Sequence, residues 1–223
     1  MYRSVFVLVI TFIATLTIPA VRAGECVVLL HGLARSANSL LFMEWCLKRA
    51  GCDVVNLDYP SKEAKTEDPA DRAIPKAFYR CRKAKMIHFV THSLGGILLR
   101  YSMKRANPQS LRLERSVLLG PPNRGTPVID QLNDLPGFEI WNGSAGMQLG
   151  AESESLPNEL GPVGLEVGII AGVQSLNALF SAIIEGPNDG KAAVESTKVD
   201  SMTDHIVMPV THTFMMNNSD VIE

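Results

Sequence analysis

The sequence predicts an α/β fold, a mostly parallel sheet with helices on both faces. Two observations carry the prediction. From residue 24 onward, apolar runs of strand length alternate with helix-like segments, the pattern of successive βαβ units. The runs are also nearly continuous in apolar residues, as ECVVLL at 25–30 illustrates, and strands covered on both faces require that.

Taken in order, residues 25–30 form the first strand. Residues 39–50 read as a helix, with Leu40, Leu41, Trp45 and Leu47 as its apolar contacts and Gly51 as its stop. DVVNL at 53–57 is the second strand, closed by Asp58-Tyr59-Pro60. A second helix is expected near 70–82, weakened in its first turns by Pro75. The apolar strand at 86–90 then runs into a helix reaching about Arg105. Further strands fall at 116–119, 167–171 and 206–210. Residues 121–165 are rich in Gly, Pro, Ser and Asn and show little period, so they read as loop or lid material rather than a second domain.

The first 23 residues stand apart. A short basic start, an apolar run of 14 residues from Val5 to Ile18, the breaker Pro19 and Val21-Arg22-Ala23 before Gly24 make a secretory signal peptide. The run is short of the roughly 20 apolar residues a membrane span needs, although an uncleaved anchor is the competing reading. The expectation is a leader over 1–23 and a single exported domain over 24–223 with no transmembrane span. Lys and Arg number 21 against 23 Asp and Glu, and two arginines lie in the leader. The remainder therefore carries a net charge of about −4 with no dense basic run, which excludes the electrostatic footprint of a nucleic-acid binder. Four cysteines, Cys26, Cys46, Cys52 and Cys81, permit disulfides in an exported chain. Three connectivities are open, and buried free thiols are equally compatible. No CxxC or Cys/His spacing calls for a metal, and no cofactor is expected.

The most specific segment is MIHFVTHSLGGIL at 86–98. It places Ser93 at a sharp strand-to-helix turn, where neighbours must be small; Gly95 and Gly96 meet that need. Thr91 stands where the GxSxG pattern has its first glycine, which tightens the turn. The helix that follows leaves the N–H of Leu94 free to bind an anion. Such an elbow points to acyl transfer, whereas a serine before glycines that merely caps a helix is the plainer alternative.

A serine hydroxyl needs a histidine base, oriented by a carboxylate. In this arrangement the partners follow in the order Ser, acid, His, each on a loop after a strand. His88 falls within a strand and reads as a core residue, His92 as pointing to the opposite side of the turn, and His31 as belonging to an earlier loop. His205 precedes the last strand, at the far end of the sheet, whereas His212 follows it and is the candidate base. Asp189, in a Pro-Asn-Asp-Gly turn 23 residues before His212, is the candidate acid over Glu185, Asp200 and Asp204. The second oxyanion donor is expected from the loop Leu30-His31-Gly32-Leu33, where Gly32 allows close approach and the N–H of Leu33 is the candidate.

With LLHGL at 29–33, VTHSLGG at 90–96, GPPNRGT at 120–126, GPNDGKAAVEST at 186–197 and TH at 211–212 in this order, the chain resembles the α/β-hydrolase superfamily, in particular small exported bacterial lipases and esterases. The resemblance implies Ser93 as nucleophile, Asp189 as acid, His212 as base, and Leu33 and Leu94 as oxyanion donors. It assigns residues 123–126 a loop-shaping role, with Arg124 structural rather than substrate-binding. Relatives end with a helix packed on the sheet after the histidine. This chain ends 11 residues after His212, so the expectation is a sheet lacking that helix.

The implied activity is serine hydrolysis of carboxylic esters, a small-molecule ester or lipid being the substrate. Leu135, Phe138, Ile140, Trp141, Met147 and Leu149 are the apolar lid candidates. The alternatives are a non-catalytic binding protein on the same fold, or an acyltransferase, thioesterase or peptidase using the same groups. Asn142 and Asn217 head Asn-x-Ser sequons, which matter only where the source glycosylates.

Overall fold

The computed structural model describes residues 24–106 and 112–223; the expected leader over 1–23 lies outside them. Six strands form one sheet, β1 (Glu25–Leu30), β2 (Asp53–Leu57), β3 (Met86–His92), β4 (Leu113–Leu119), β5 (Glu166–Gln174) and β6 (Asp204–Thr211). Their order is β2-β1-β3-β4-β5-β6, and every neighbouring pair is parallel. The order reverses direction at β1, so a crevice opens beyond the C-terminal ends of β1 and β3, where such sheets bind ligands.

The side-chain alternation of β1 shows why both faces are covered. Cys26, Val28 and Leu30 pack with Ala70, Ala73, Ile74 and Ala77 of α2 (Glu67–Arg80) and with Ile97 and Leu98 of α3 (Leu94–Arg105). Val27 and Leu29 pack on the opposite face with Leu40, Met43, Val210, Met215 and Met216. In α2 the buried residues 69, 70, 73, 74 and 77 form a single stripe at helical spacing, and the helix tolerates Pro75 within it.

Helix α1 (Leu41–Arg49) follows a 3₁₀ turn at Ala37–Leu40 and differs from expectation. Leu40 and Met43 are its buried contacts, whereas Leu41 and Trp45 are 53% and 54% exposed. The 3₁₀ start rotates the stripe relative to a continuous α-helix, and the Arg49 guanidinium lies over the outward Trp45 ring at 4.8 Å.

The stretch 121–165 is more ordered than its composition implied. It carries α4 (Pro127–Leu132), α5 (Phe138–Met147) and α6 (Leu156–Glu159), with α5 kinked at Gly143. These pieces are too short for a periodicity to register, and tertiary contacts hold them. Gln148 accepts from the Thr66 N–H at 2.7 Å and donates to Glu67, and Asp130 accepts from the Ala151 N–H at 2.6 Å. Arg100 of α3 is buried beneath this stretch and donates to the carbonyls of Asn123, Pro157 and Gly161. Burial without a carboxylate partner lowers its pKa to about 10.

The chain continues through α7 (Ala178–Ile183) and α8 (Val194–Thr197) to β6. After β6 come a 3₁₀ turn at Met215–Asn217 and the one-turn α9 (Ser219–Ile222), capped by the Asn218 side chain. Met215 and Met216, just beyond His212, are buried against Val27, Leu29 and Val210 of the sheet. Among the described residues no helix is long and apolar enough to cross a membrane. Cys26 and Cys81 form a disulfide, and Cys46 and Cys52 are free.

Candidate active site

β3 ends at His92, and α3 begins at Leu94. The single residue between them, Ser93, has φ +52° and ψ −119°, a conformation that a residue with a Cβ adopts only under strain. The turn is close-packed around it. A Cβ on Gly95 would lie 2.6 Å from the Leu30 carbonyl oxygen, so α3 can cross β1 only with glycine there. Thr91 is fully buried in β3 and is accommodated because Gly96 opposite has no side chain.

The loops after β3, β5 and β6 converge on the serine. His212 follows β6, and its Nε2 lies 3.0 Å from the Ser93 Oγ. Its Nδ1 lies 2.8 Å from the Asp189 Oδ2. Asp189 is buried, and its other oxygen accepts the N–H groups of Lys191 at 2.9 Å and Ala192 at 2.8 Å. This network assigns the proton to His212 Nδ1, leaving Nε2 as the acceptor that faces the serine hydroxyl. The Asn188 side chain fastens the turn from behind, accepting from the Gly190 N–H and donating to the Gly186 carbonyl.

Leu94 is the first residue of α3, so its N–H is one of the donors that a helix start leaves unpaired. The loop after β1 passes directly against the serine. A Cβ on Gly32 would lie 3.1 Å from the Ser93 Cβ and 2.8 Å from the His92 Nδ1, and Leu33 lines the cleft beside Ser93. His31 holds this loop in shape. Its Nδ1–H donates to the Gly32 carbonyl at 3.0 Å, its Nε2 accepts from the Tyr59 N–H at 3.4 Å, and its ring stacks on Tyr59. Burial lowers the His31 pKa, against the pull of the Gly32 hydrogen bond and Asp58.

Two contributors escaped the sequence reading. His92 does not point away from the site. It is buried with its ring centroid 4.9 Å from that of His212, and its Nε2 lies 2.9 Å from the His212 carbonyl oxygen. Desolvation, then the proximity of His212, hold its pKa well below the ordinary histidine value, so it acts as a neutral donor that fixes the His212 backbone. Gly120, after β4, is the other. Its φ is +54°, and a Cβ there would meet Asp189 Oδ2 at 3.0 Å and His212 Nδ1 at 3.1 Å. The bare backbone leaves room for the Asp–His hydrogen bond. The GPP string following a strand was the available signal.

The other candidates fall elsewhere. His205 lies in β6 with its Nε2 2.9 Å from the Thr197 hydroxyl. Asp200 pairs with the exposed Arg124 at 3.4 Å, outside the serine cleft. His88 is not a core histidine. It is half-buried between Glu25 at 3.7 Å and Glu114 at 3.8 Å, near the opposite end of the sheet. These three side chains place ligand atoms within 4.8 Å of one another.

The cleft over Ser93 holds about 670 Å³ of free space, open solvent at its mouth included. Its apolar wall comes from Leu33, Val128, Ile129, Phe138, Leu149 and Phe180. Of the six apolar residues expected in a lid, Phe138 and Leu149 line this cleft, whereas Ile140 and Trp141 are each 80% exposed on the outer side of α5 and Leu135 is also exposed. Met147 is half-buried on the flank.

No protein-family model matches the chain, and no curated protein does. Solved structures do match. A lipase from Bacillus licheniformis, BlEst2 in mature form, superposes with a TM-score of 0.69 at 15% identity, over 89% of this chain and 87% of that one. Phospholipase PlaB from Legionella pneumophila gives 0.67 at 16% identity, with 84% of this chain spanning 53% of that one. A metagenomic carboxyl esterase, MGS0156, gives 0.68 at 15% identity over 86% and 66%. With the all-parallel sheet, the strained turn after β3 and this similarity over most of its length, the chain has the α/β-hydrolase fold.

Proposed function

We propose that the chain is an exported serine hydrolase of carboxylic esters, a single domain acting after removal of a leader. One observation carries the reading: the unbroken relay Asp189–His212–Ser93, at 2.8 and 3.0 Å, ending on a serine held in a strained turn. Ser93 Oγ attacks the acyl carbon while His212 Nε2 takes its proton. Asp189, fixed by two backbone N–H groups, stabilises the imidazolium that results. The oxyanion is received by the N–H groups of Leu33 and Leu94. His212 then protonates the departing alcohol oxygen, and a water, deprotonated by the same nitrogen, releases the acid from the acyl-serine.

The apolar wall of the cleft supports an acyl chain as the group it receives. The lipase and esterase activities of the similar structures fit this reading. The Cys26–Cys81 disulfide supports export, because such bonds persist in oxidising compartments.

Labelling by a fluorophosphonate, with the adduct mapped by mass spectrometry, tests the proposal. The expected adduct is on Ser93, and it disappears in Ser93→Ala and His212→Ala. A folded protein that takes no label refutes the hydrolase reading and returns the chain to the non-catalytic alternative.

A further inference from the structure

Two cations stand at the same cleft as the candidate nucleophile, and the reaction as proposed does not use them. Arg35 and Lys191 both line it together with Ser93, His92 and His212. Each lies two residues after a group of the site: Arg35 follows Leu33 on the loop after β1, and Lys191 follows Asp189 on the loop after α7. The second loop is firmly held, since the Lys191 N–H itself donates to Asp189 Oδ1.

We propose that Arg35 and Lys191 form an anion-binding rim that selects esters whose alcohol part carries a phosphate group. The inference rests on the serine hydrolase reading and names the substrate class of that site.

Among the described residues Arg124, Lys48, Lys198, Arg105 and Arg115 each have a carboxylate within 4.0 Å; Arg35 and Lys191, like most of the other basic side chains, have none, and of these it is Arg35 and Lys191 that line the cleft of Ser93. Asp189 is the acid nearest Lys191 in sequence, and its oxygens are already occupied by two N–H groups and His212. Placing two like charges at one cleft is unfavourable without a ligand. Desolvation and then the neighbouring guanidinium of Arg35 lower the Lys191 pKa, and Asp189 opposes them.

The orientation follows from the chemistry. The wall formed by Leu33, Val128, Ile129, Phe138, Leu149 and Phe180 is apolar and takes the acyl chain. The departing oxygen must come within reach of His212 Nε2, and the loop that bears Asp189, the partner of His212, also bears Lys191. An anion on the alcohol side therefore meets the rim, while one on the acyl side is driven into the apolar wall, where it is costly.

The test compares kcat/KM for 1-octanoylglycerol and 1-octanoylglycerol 3-phosphate, the same ester with and without the anion, below aggregation. A second pair, ethyl octanoate and monoethyl suberate, places the anion on the acyl side. The phosphate is expected to raise kcat/KM about tenfold, as for two charge-assisted contacts at a part-exposed site. Arg35→Gln and Lys191→Gln should each shrink this ratio, and the double variant should bring it close to one. The ratio should also fall as salt rises from about 20 mM to about 0.5 M. Fluorophosphonate labelling of Ser93 in every variant reports an intact site.

A wild-type ratio of one or less with measurable hydrolysis of the neutral ester overturns the rim while leaving the hydrolase reading in place. A ratio that survives the double substitution, or a larger gain from the acyl-side carboxylate, overturns it as well. Absence of both hydrolysis and labelling fails the hydrolase reading itself, and the rim with it.

Discussion

Replacing Ser93 by glycine and, separately, by alanine divides the strain of the turn from its chemistry. Both variants lose the hydroxyl and its 3.0 Å contact with His212, so that loss cancels between them. They differ in what the backbone tolerates. At φ +52° and ψ −119° alanine keeps the Cβ that makes the conformation unfavourable, at a cost of about 1–3 kcal/mol, whereas glycine relieves it. Against this, glycine gives the unfolded chain extra freedom worth about 0.4–1 kcal/mol. The balance favours Ser93→Gly by about 0.5–2 kcal/mol. For a domain of this size each kcal/mol moves Tm by about 2–4 °C, so the glycine variant should melt about 1–8 °C above the alanine variant. Scanning calorimetry on the two proteins, with urea unfolding for the free energies, measures the difference. A glycine variant that melts at or below the alanine variant refutes the claim that this turn stores strain.

Gly32→Ala places a Cβ 2.8 Å from His92 Nδ1 and 3.1 Å from the Ser93 Cβ. The loop must then withdraw with the Leu33 N–H, lowering kcat on a neutral ester about 10²–10³-fold while the far-ultraviolet spectrum stays unchanged; activity within threefold of the parent contradicts this. His31 and His92 are both held below the ordinary histidine pKa, chiefly by burial. The unfolded chain therefore binds protons that the folded chain refuses, and stability is full above about pH 6.5 and lost as pH falls. The slope should reach at most about 1.4 kcal/mol per pH unit for each histidine and become shallower in His92→Gln; urea titrations between pH 7.5 and 5.5 that give equal stability reject it. Alkylation of the native protein should modify Cys46 and Cys52 and spare Cys26 and Cys81. Replacing the bridged pair by alanine should remove about 4 kcal/mol, the chain-entropy value for a separation of 55 residues, as read from denaturant midpoints.

Much of the site is local in character, and to that extent it was legible. A buried parallel strand advertises itself by a continuous apolar run. The turn after β3 advertises itself by Ser93 between that run and two glycines, because only small residues let a helix start so close to β1. Chain order and strand ends then singled out Asp189 and His212, since in a parallel sheet the loops at one end all gather at one place.

The residues that escaped the reading are those whose roles depend on which pieces of chain meet. His92 alternates along β3 to the side where His212 arrives, a matter of register with a strand over a hundred residues away. Gly120 is required because the Asp189–His212 pair passes over it, and Arg100 because three separate carbonyl groups converge on it. The short helices between 127 and 159 lack the length to show a period and are stabilised by partners outside themselves.

The sequence by itself determined the α/β class, the succession of strands along the chain and the serine turn, because strand burial and a strained turn restrict the residue types at neighbouring positions. Only the tertiary structure decided the pairing of Cys26 with Cys81, the part played by His92 and the meeting of two unpaired cations at the cleft. Those contacts join segments distant in the chain, and nothing in local composition encodes which of them will touch.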